Sequence, residues 1–250
     1  MANLILGLGD SLIGGAECES PPKHSFIATV AKEFGWDHLV IAESGISNLA
    51  TIINAFTSDF DWSKYDKKII IINIAHYQKL SLLADRRKDR NWETFLPKGK
   101  KWASWSENKI LVNNGLKEFI TPELGQRQFY SDYKLLEAFK TLHGFSDIFM
   151  IPSLENLTKE FFSPDIEGYN EFPWENMLEI DGIRTSWHWC YWKAHGVIDY
   201  NARIDQDWWL FSKGEKRTRY FHERGHPKEE MQELYGKAVA NHLKEKKEKI

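Results

Sequence analysis

The sequence predicts an α/β protein built on a parallel sheet, and three observations carry that prediction. The runs "NLILGL" (3–8), "HLVIAE" (38–43) and "KKIIIINIA" (67–75) are continuously apolar rather than alternating, as strands buried on both faces require. Between them, "HSFIATVAKEFGW" (24–36) and "SNLATIINAFTSDF" (47–60) repeat apolar residues at helical spacing. The resulting order is βαβαβ, from which right-handed crossovers and a parallel sheet follow.

Each element has its punctuation. The first strand stops on glycines, Gly35 is placed to end the first helix, and Ser47 offers an N-cap to the second. Residues 86–110 are polar, basic and tryptophan-bearing and read as an insertion. A helical stretch over 112–143 leads to "FSDIFMIPS" (145–153), a fourth strand ended by Pro152. Residues 154–222 are aromatic and irregular, with Pro164 and Pro173 as breakers, and form the second insertion. "HPKEEMQELYGKAVANHLKEKKEKI" (226–250) is the last helix: Pro227 in its first turn, Glu229 and Glu230 near its N-terminus, lysines crowding its end. No internal repeat or distinct linker divides the chain, so 1–250 reads as a single domain with two long aromatic-rich insertions.

Composition narrows the function. A chain of 250 residues with 42% hydrophobic content can bury a sizeable core. With 33 Lys+Arg against 36 Asp+Glu the net charge is −3, which points neither to nucleic acid nor to an anionic membrane; a small-molecule partner is expected. No apolar run reaches the roughly 20 residues that cross a bilayer, and the first residues lack the basic start and cleavage site of a signal peptide, so the expected location is cytoplasmic. Cys18 and Cys190 are too few for a disulfide framework, and no Cys/His spacing resembles a zinc site, so neither metal nor cofactor is expected. The 11 tryptophans include Trp102, Trp105, the stretch "SWHWCYW" (186–192), Trp208 and Trp209. Such rings suit a sugar or another ring-shaped ligand; they equally suit the stapling of long loops.

The chemistry concentrates in "GLGDSLIGG" (7–15). Gly7-x-Gly9 followed by Gly14 approaches a dinucleotide fingerprint, but Gly14 comes five residues after Gly9 where three are wanted. Glu43 lies 34 residues past Gly9 where the acid belongs about 20 on. The alternative is that the strand presents Ser11 at the carboxyl edge of the sheet, where open α/β sheets bind ligands. Such a serine needs a base. His226 in "ERGHPKEE" stands immediately before the last helix, and Glu223 could accept its Nδ1 proton, completing a triad.

These residues carry a resemblance. "GDSL" (9–12) resembles the first block of the SGNH/GDSL hydrolases, "ESGISN" (43–48) their second, and Glu223-x-x-His226 their last, with Glu in place of Asp. The landmarks span nearly the whole chain and are similar to those of divergent phage and bacterial members. The resemblance implies a three-layer α/β/α flavodoxin-like sandwich and a serine esterase, intracellular or virion-associated, acting through Ser11, His226 and Glu223. It also implies an oxyanion hole made by the Ser11 and Gly45 backbone N–H groups, completed by an asparagine from a Gly-x-Asn-Asp block. Here the third strand ends "IIIINIAHYQKL" without that block, leaving Asn73 as substitute donor and His76 behind it. Asp10, Asn48 and His76 are candidates for contact with substrate, and Asp10 has the alternative of bonding local backbone. A small acyl ester, such as an O-acetylated carbohydrate, is the expected substrate. The rival readings are a non-catalytic carbohydrate-binding descendant, a nucleotide binder, and a structural or phage-associated interaction protein. Each residue has a plainer role open to it: Ser11 as a helix cap, Gly45 as a turn, His226 as a helix start.

Overall fold

A computed structural model of the chain describes residues 2–43, 46–74, 80–86, 89–98, 101–104, 122–153, 157–196, 219–222 and 226–248, with backbone alone over 80–104. In chain order the elements are β1 (Ala2–Gly9), α1 (Pro21–His24), α2 (Phe26–Phe34), β2 (Asp37–Ala42), α3 (Asn48–Phe56), β3 (Tyr65–Ile74), β4 (Leu80–Arg86), β5 (Asp89–Lys98), β6 (Lys101–Ser104), α4 (Pro122–His143), β7 (Asp147–Pro152), α5 (Ser186–His195) and α6 (Glu229–Glu248). The four apolar runs pair side by side, all parallel, in the order β2-β1-β3-β7.

Alternation along these strands divides two cores. Leu4, Leu6, Leu8, Ile70, Ile72, Ile148 and Met150 pack on one face with Ile52 and Ala55 of α3 and Phe129, Leu136 and Phe139 of α4. Ile5, Ile69, Ile71, Phe149 and Ile151 pack on the other with Ile27 and Val30 of α2, Trp189 of α5, and Tyr235, Val239 and Leu243 of α6. Helices on both faces of a parallel sheet make this the three-layer, flavodoxin-like sandwich that the sequence implies. The caps also hold. Ser25 Oγ accepts from Ala28 N–H at 3.3 Å, Ser47 Oγ accepts from Ala50 N–H at 3.3 Å, and Gly35 ends α2 at a left-handed φ of 66°.

Three expectations change. The region 86–110, read as an insertion, takes in part of an antiparallel sheet, β4-β5-β6, formed within 80–104 and so starting before the expected boundary. The stretch 154–222 is not all loop, because α5, capped by Thr185 Oγ1 on His188 N–H at 3.2 Å, buries Trp189 and Cys190 in the main core. Pro227 precedes the last helix rather than sitting in its first turn: it bridges Phe221, and the Lys228 carbonyl receives the first helical N–H, from Gln232 at 2.9 Å.

The last helix crosses α2 at close range, and one glycine permits it. A Cβ on Gly236 would stand 2.6 Å from the Phe26 carbonyl oxygen and 2.6 Å from Thr29 Cβ. That contact brings the end of the chain onto the start and sets up the geometry of the site.

Candidate active site

The strand order places the topological switch between β1 and β3, and the crevice beyond their carboxyl ends is where open α/β sheets receive ligands. The chain leaves β1 at Gly9, whose φ of 151° suits glycine and whose Cβ, if present, would stand 2.7 Å from the Asn73 carbonyl oxygen. The loop 10–20 then folds on itself: Gly14 N–H donates to Asp10 O at 3.1 Å and Ala16 N–H to Ser11 O at 2.9 Å. Asp10 is buried and braces the turn, its Oδ1 accepting from Leu12 N–H at 3.2 Å and its Oδ2 from Ser153 Oγ at 3.5 Å. This is the local-backbone role left open for it.

Several contacts bind the loop to the far end of the chain. Gln232 of α6, fully buried, donates Nε2–H to Leu12 O at 3.0 Å and accepts from Phe26 N–H at 3.0 Å. Glu19 N–H donates to Glu229 Oε1 at 2.9 Å, and Cys18 Sγ stands 3.7 Å from Pro227 O. The loop that follows β1 and the start of the last helix thus meet on one rim.

On that rim His226 Nδ1 lies 2.5 Å from Glu17 Oε2, with the two side chains only 18% and 23% exposed. The carboxylate at His226 Nδ1 is thus that of Glu17; Glu223, expected there, lies outside the described residues, as do Gly45 and His76. Burial pushes the Glu17 carboxyl up, but the hydrogen bond and charge of His226 outweigh it and hold the group below the ordinary carboxylate range. An Nδ1–H donated to Glu17 leaves Nε2 as the basic nitrogen. The Trp187 ring, at the start of α5, stands 5.9 Å from the imidazole, and Trp187 N–H donates to Ser153 O at 3.2 Å.

Ser11 is half-buried at the head of this loop. Among the described residues its hydroxyl and its backbone N–H have no hydrogen-bond partner, and none of the described bonds joins it to His226.

Asn73 does not provide the donor expected of it. It is fully buried, and its Nδ2 already donates to Ile151 O at 3.1 Å and to Ser186 Oγ at 3.0 Å; its Oδ1 has no partner among the described residues. Both amide protons are committed to joining β3, β7 and α5, which is what an asparagine inside a sheet does when its neighbours offer acceptors. Asn48 is buried as the first residue of α3.

The tryptophans divide. Trp62 and Trp189 are core residues, and Trp189 Nε1–H donates to Asp181 Oδ2 at 2.9 Å; Trp174 Nε1–H donates to Tyr169 O at 3.1 Å. Trp187 alone among the described tryptophans stands against the imidazole. Trp105, Trp208 and Trp209 lie outside the described residues, and Trp102 is described by backbone alone. Sequence reasoning missed Glu17 and Ser153, whereas Trp187 lies in the stretch "SWHWCYW" that it singled out. The only signal for Glu17 was that the small-residue turn "GGAECES" carries two acids, Glu17 and Glu19, shortly after Ser11. A further group of possible ligands, Cys18, His222 and Glu229, has donor atoms within 4.8 Å of one another.

No family model matches the sequence, and no curated protein matches it. Among solved structures the chain is similar to a lipolytic protein of the G-D-S-L family from Desulfitobacterium hafniense, at 12% identity and a TM-score of 0.41 over 96% of this chain and 99% of that one. It is similar to an acetyl xylan esterase from Butyrivibrio proteoclasticus at 11% identity and a TM-score of 0.49. It is also similar to a family two carbohydrate esterase from Clostridium thermocellum, solved with cellohexaose, at 13% identity and a TM-score of 0.47. Each of these two alignments covers 98% of this chain, which spans 64% of either esterase. At such identities the chemistry has to be read from the chain's own residues.

Proposed function

We propose that the chain is a serine ester hydrolase in which Ser11 is the nucleophile, His226 the general base and Glu17 the acid that orients it. One observation carries this reading: the imidazole from the far end of the chain is held by a carboxylate on the loop that begins with Asp10 and Ser11. Ser11 Oγ attacks the ester carbonyl while His226 Nε2 takes its proton; the tetrahedral adduct expels the alcohol, which leaves with that proton. Water, deprotonated by the same nitrogen, then releases the acid and restores the serine. Ser11 N–H, with no acceptor among the described residues, is one oxyanion donor, and Gly45 N–H is the second. The substrate proposed is a small acyl ester, with the alcohol half, such as a carbohydrate ring, lying on the face of Trp187 beside the imidazole.

The test is hydrolysis of p-nitrophenyl acetate together with labelling by a fluorophosphonate probe. Wild type is expected to do both, and Ser11→Ala neither. His226→Ala should lose on the order of 10³-fold or more in kcat, the usual scale for a triad member. A folded wild-type protein that neither hydrolyses the ester nor takes the label overturns the proposal. The commitment of both Asn73 amide protons favours one other reading, a carbohydrate binder without turnover. That reading predicts sugar-dependent quenching of tryptophan fluorescence, lost in Trp187→Ala, with no labelling of Ser11.

A further inference from the structure

The same closure of the chain's two ends assembles a second cluster that the esterase reading does not use. Cys18 follows Glu17 on the loop after β1, His222 follows the segment bridged to Pro227, and Glu229 opens α6. We propose that Cys18, His222 and Glu229 are the protein ligands of a single Zn²⁺-type cation, bound as a clasp between the first loop and the last helix.

Four observations carry this. The donor atoms all lie within 4.8 Å of one another. Zinc bonds of about 2.0–2.3 Å in a tetrahedron set ligand atoms roughly 3.3–3.8 Å apart, so a contraction of about 1 Å closes the site. His222 Nε2 is buried without a hydrogen-bond partner among the described residues, a state that native structures resolve by supplying one. The ligands are fixed by their backbones and by second contacts. Cys18 N–H donates to Gly15 O at 3.1 Å, His222 N–H donates to His226 O at 2.8 Å, and Glu229 Oε1 is occupied by Glu19 N–H, leaving Oε2 to bind. Finally, a thiolate, an imidazole and a carboxylate form a set that selects zinc over magnesium or calcium, with water completing the tetrahedron.

Binding involves no redox change: the Cys18 thiol proton passes to solvent as the sulfur–metal bond forms. The consequence is positional. Glu17 adjoins the sulfur ligand, and the His226 carbonyl holds the His222 backbone, so the cation fixes both members of the Glu17–His226 pair without touching either. The site stands whether or not Ser11 is a nucleophile.

The experiment titrates chelator-stripped, folded full-length protein with Zn²⁺ against a chromophoric competitor, and in parallel with Co²⁺ to read thiolate-to-cobalt charge transfer in the near ultraviolet. One equivalent is expected, with the charge-transfer band and a raised melting temperature. Cys18→Ala should remove the band, and Cys18→Ala and His222→Ala should each weaken binding by more than roughly 100-fold, beyond what an outer-shell partner costs. Cys190→Ala, at a buried cysteine in the core away from this cluster, should retain all three signals. Absence of stoichiometric uptake by folded wild type, or uptake without the thiolate band, overturns the site, and neither result depends on esterase activity.

Discussion

Glu17 is held at a φ of 67°, in the left-handed region that a glutamate enters at a cost of about 1 kcal/mol or more. That strain is compensated by what the conformation achieves, which is a carboxylate 2.5 Å from His226 Nδ1. Glu17→Gln keeps the shape and removes the charge that steadies a protonated imidazole. It is expected to lower kcat by on the order of 10²–10⁴, with KM nearly unchanged, because the interaction strengthens only as the proton moves; an unchanged kcat would remove Glu17 from the mechanism. The sign of its pH effect follows from the depressed native value. The stabilisation is full above the ordinary glutamate value of about 4.3 and is lost as pH falls through the native one, so the acid limb of the stability curve should be shallower in Glu17→Gln. Asp132 on α4 behaves oppositely. Burial raises it to about 7 against a single opposing donor, Gln128 Nε2 at 2.6 Å. Its native value exceeds the unfolded one of about 3.9, so the native state binds more protons and stability declines as pH rises from about 4 to 7. Asp132→Asn still accepts from Gln128 and carries no charge. Denaturant unfolding should show it more stable than wild type by about 2–4 kcal/mol at pH 8 and nearly equal at pH 4, and a difference independent of pH would contradict the cause given.

At the scale of elements, the packing of α6 on α2 is set by Gly236, where a methyl group would meet the Phe26 carbonyl oxygen at 2.6 Å. Gly236→Ala favours the helix locally by up to about 1 kcal/mol but forces two backbones apart. The overpacking cost of about 1–3 kcal/mol should win, lowering the melting temperature and loosening Gln232's hold on Leu12 O. A melting temperature at or above wild type would show that the helices can shift freely. The same elements show what a sequence can and cannot disclose. β1, β3 and β7 were legible because strands buried on both faces are apolar without interruption, and α2 and α3 because their apolar residues recur at helical period, with Gly35 ending one and Ser47 capping the other. β4, β5 and β6 were not, because their sequences mix apolar and charged residues without a regular alternation of period two. α5 was hidden by its aromatics: Trp187, Trp189, Tyr191 and Trp192 suited a ligand surface or the stapling of loops equally well, and neither reading called for a helix with Trp189 in the core. Of the candidate residues, Ser11 and His226 were named from the blocks around them. Glu17 was not, since it reaches His226 through a turn whose geometry no spacing encodes.

Across the whole molecule, the first loop and last helix depend on each other. Met231, Tyr235, Val239 and Leu243 of α6 are all fully or almost fully buried against the sheet face that carries α2. At about 1.5–3 kcal/mol for each large apolar side chain, these four contribute on the order of 6–12 kcal/mol, as much as the whole net stability of about 5–15 kcal/mol expected of a domain. Deleting residues 229–250 also strips Gln232 from Leu12 O and Phe26 N–H, and Glu229 from Glu19 N–H. A truncated chain should therefore lose its fold entirely and show no cooperative thermal transition by circular dichroism. Gln232→Ala isolates the tether from the packing. It leaves one buried donor and one buried acceptor unpaired, at about 1–3 kcal/mol each, yet keeps the four apolar contacts. That variant should melt cooperatively at a lower temperature and hydrolyse ester more slowly, because the loop bearing Ser11 and Glu17 has lost the side chain that fixes it to α6. If the truncated chain melts cooperatively with a native spectrum, the last helix is an appendage, and the closure that brings His226 to Glu17 is not what holds this fold together.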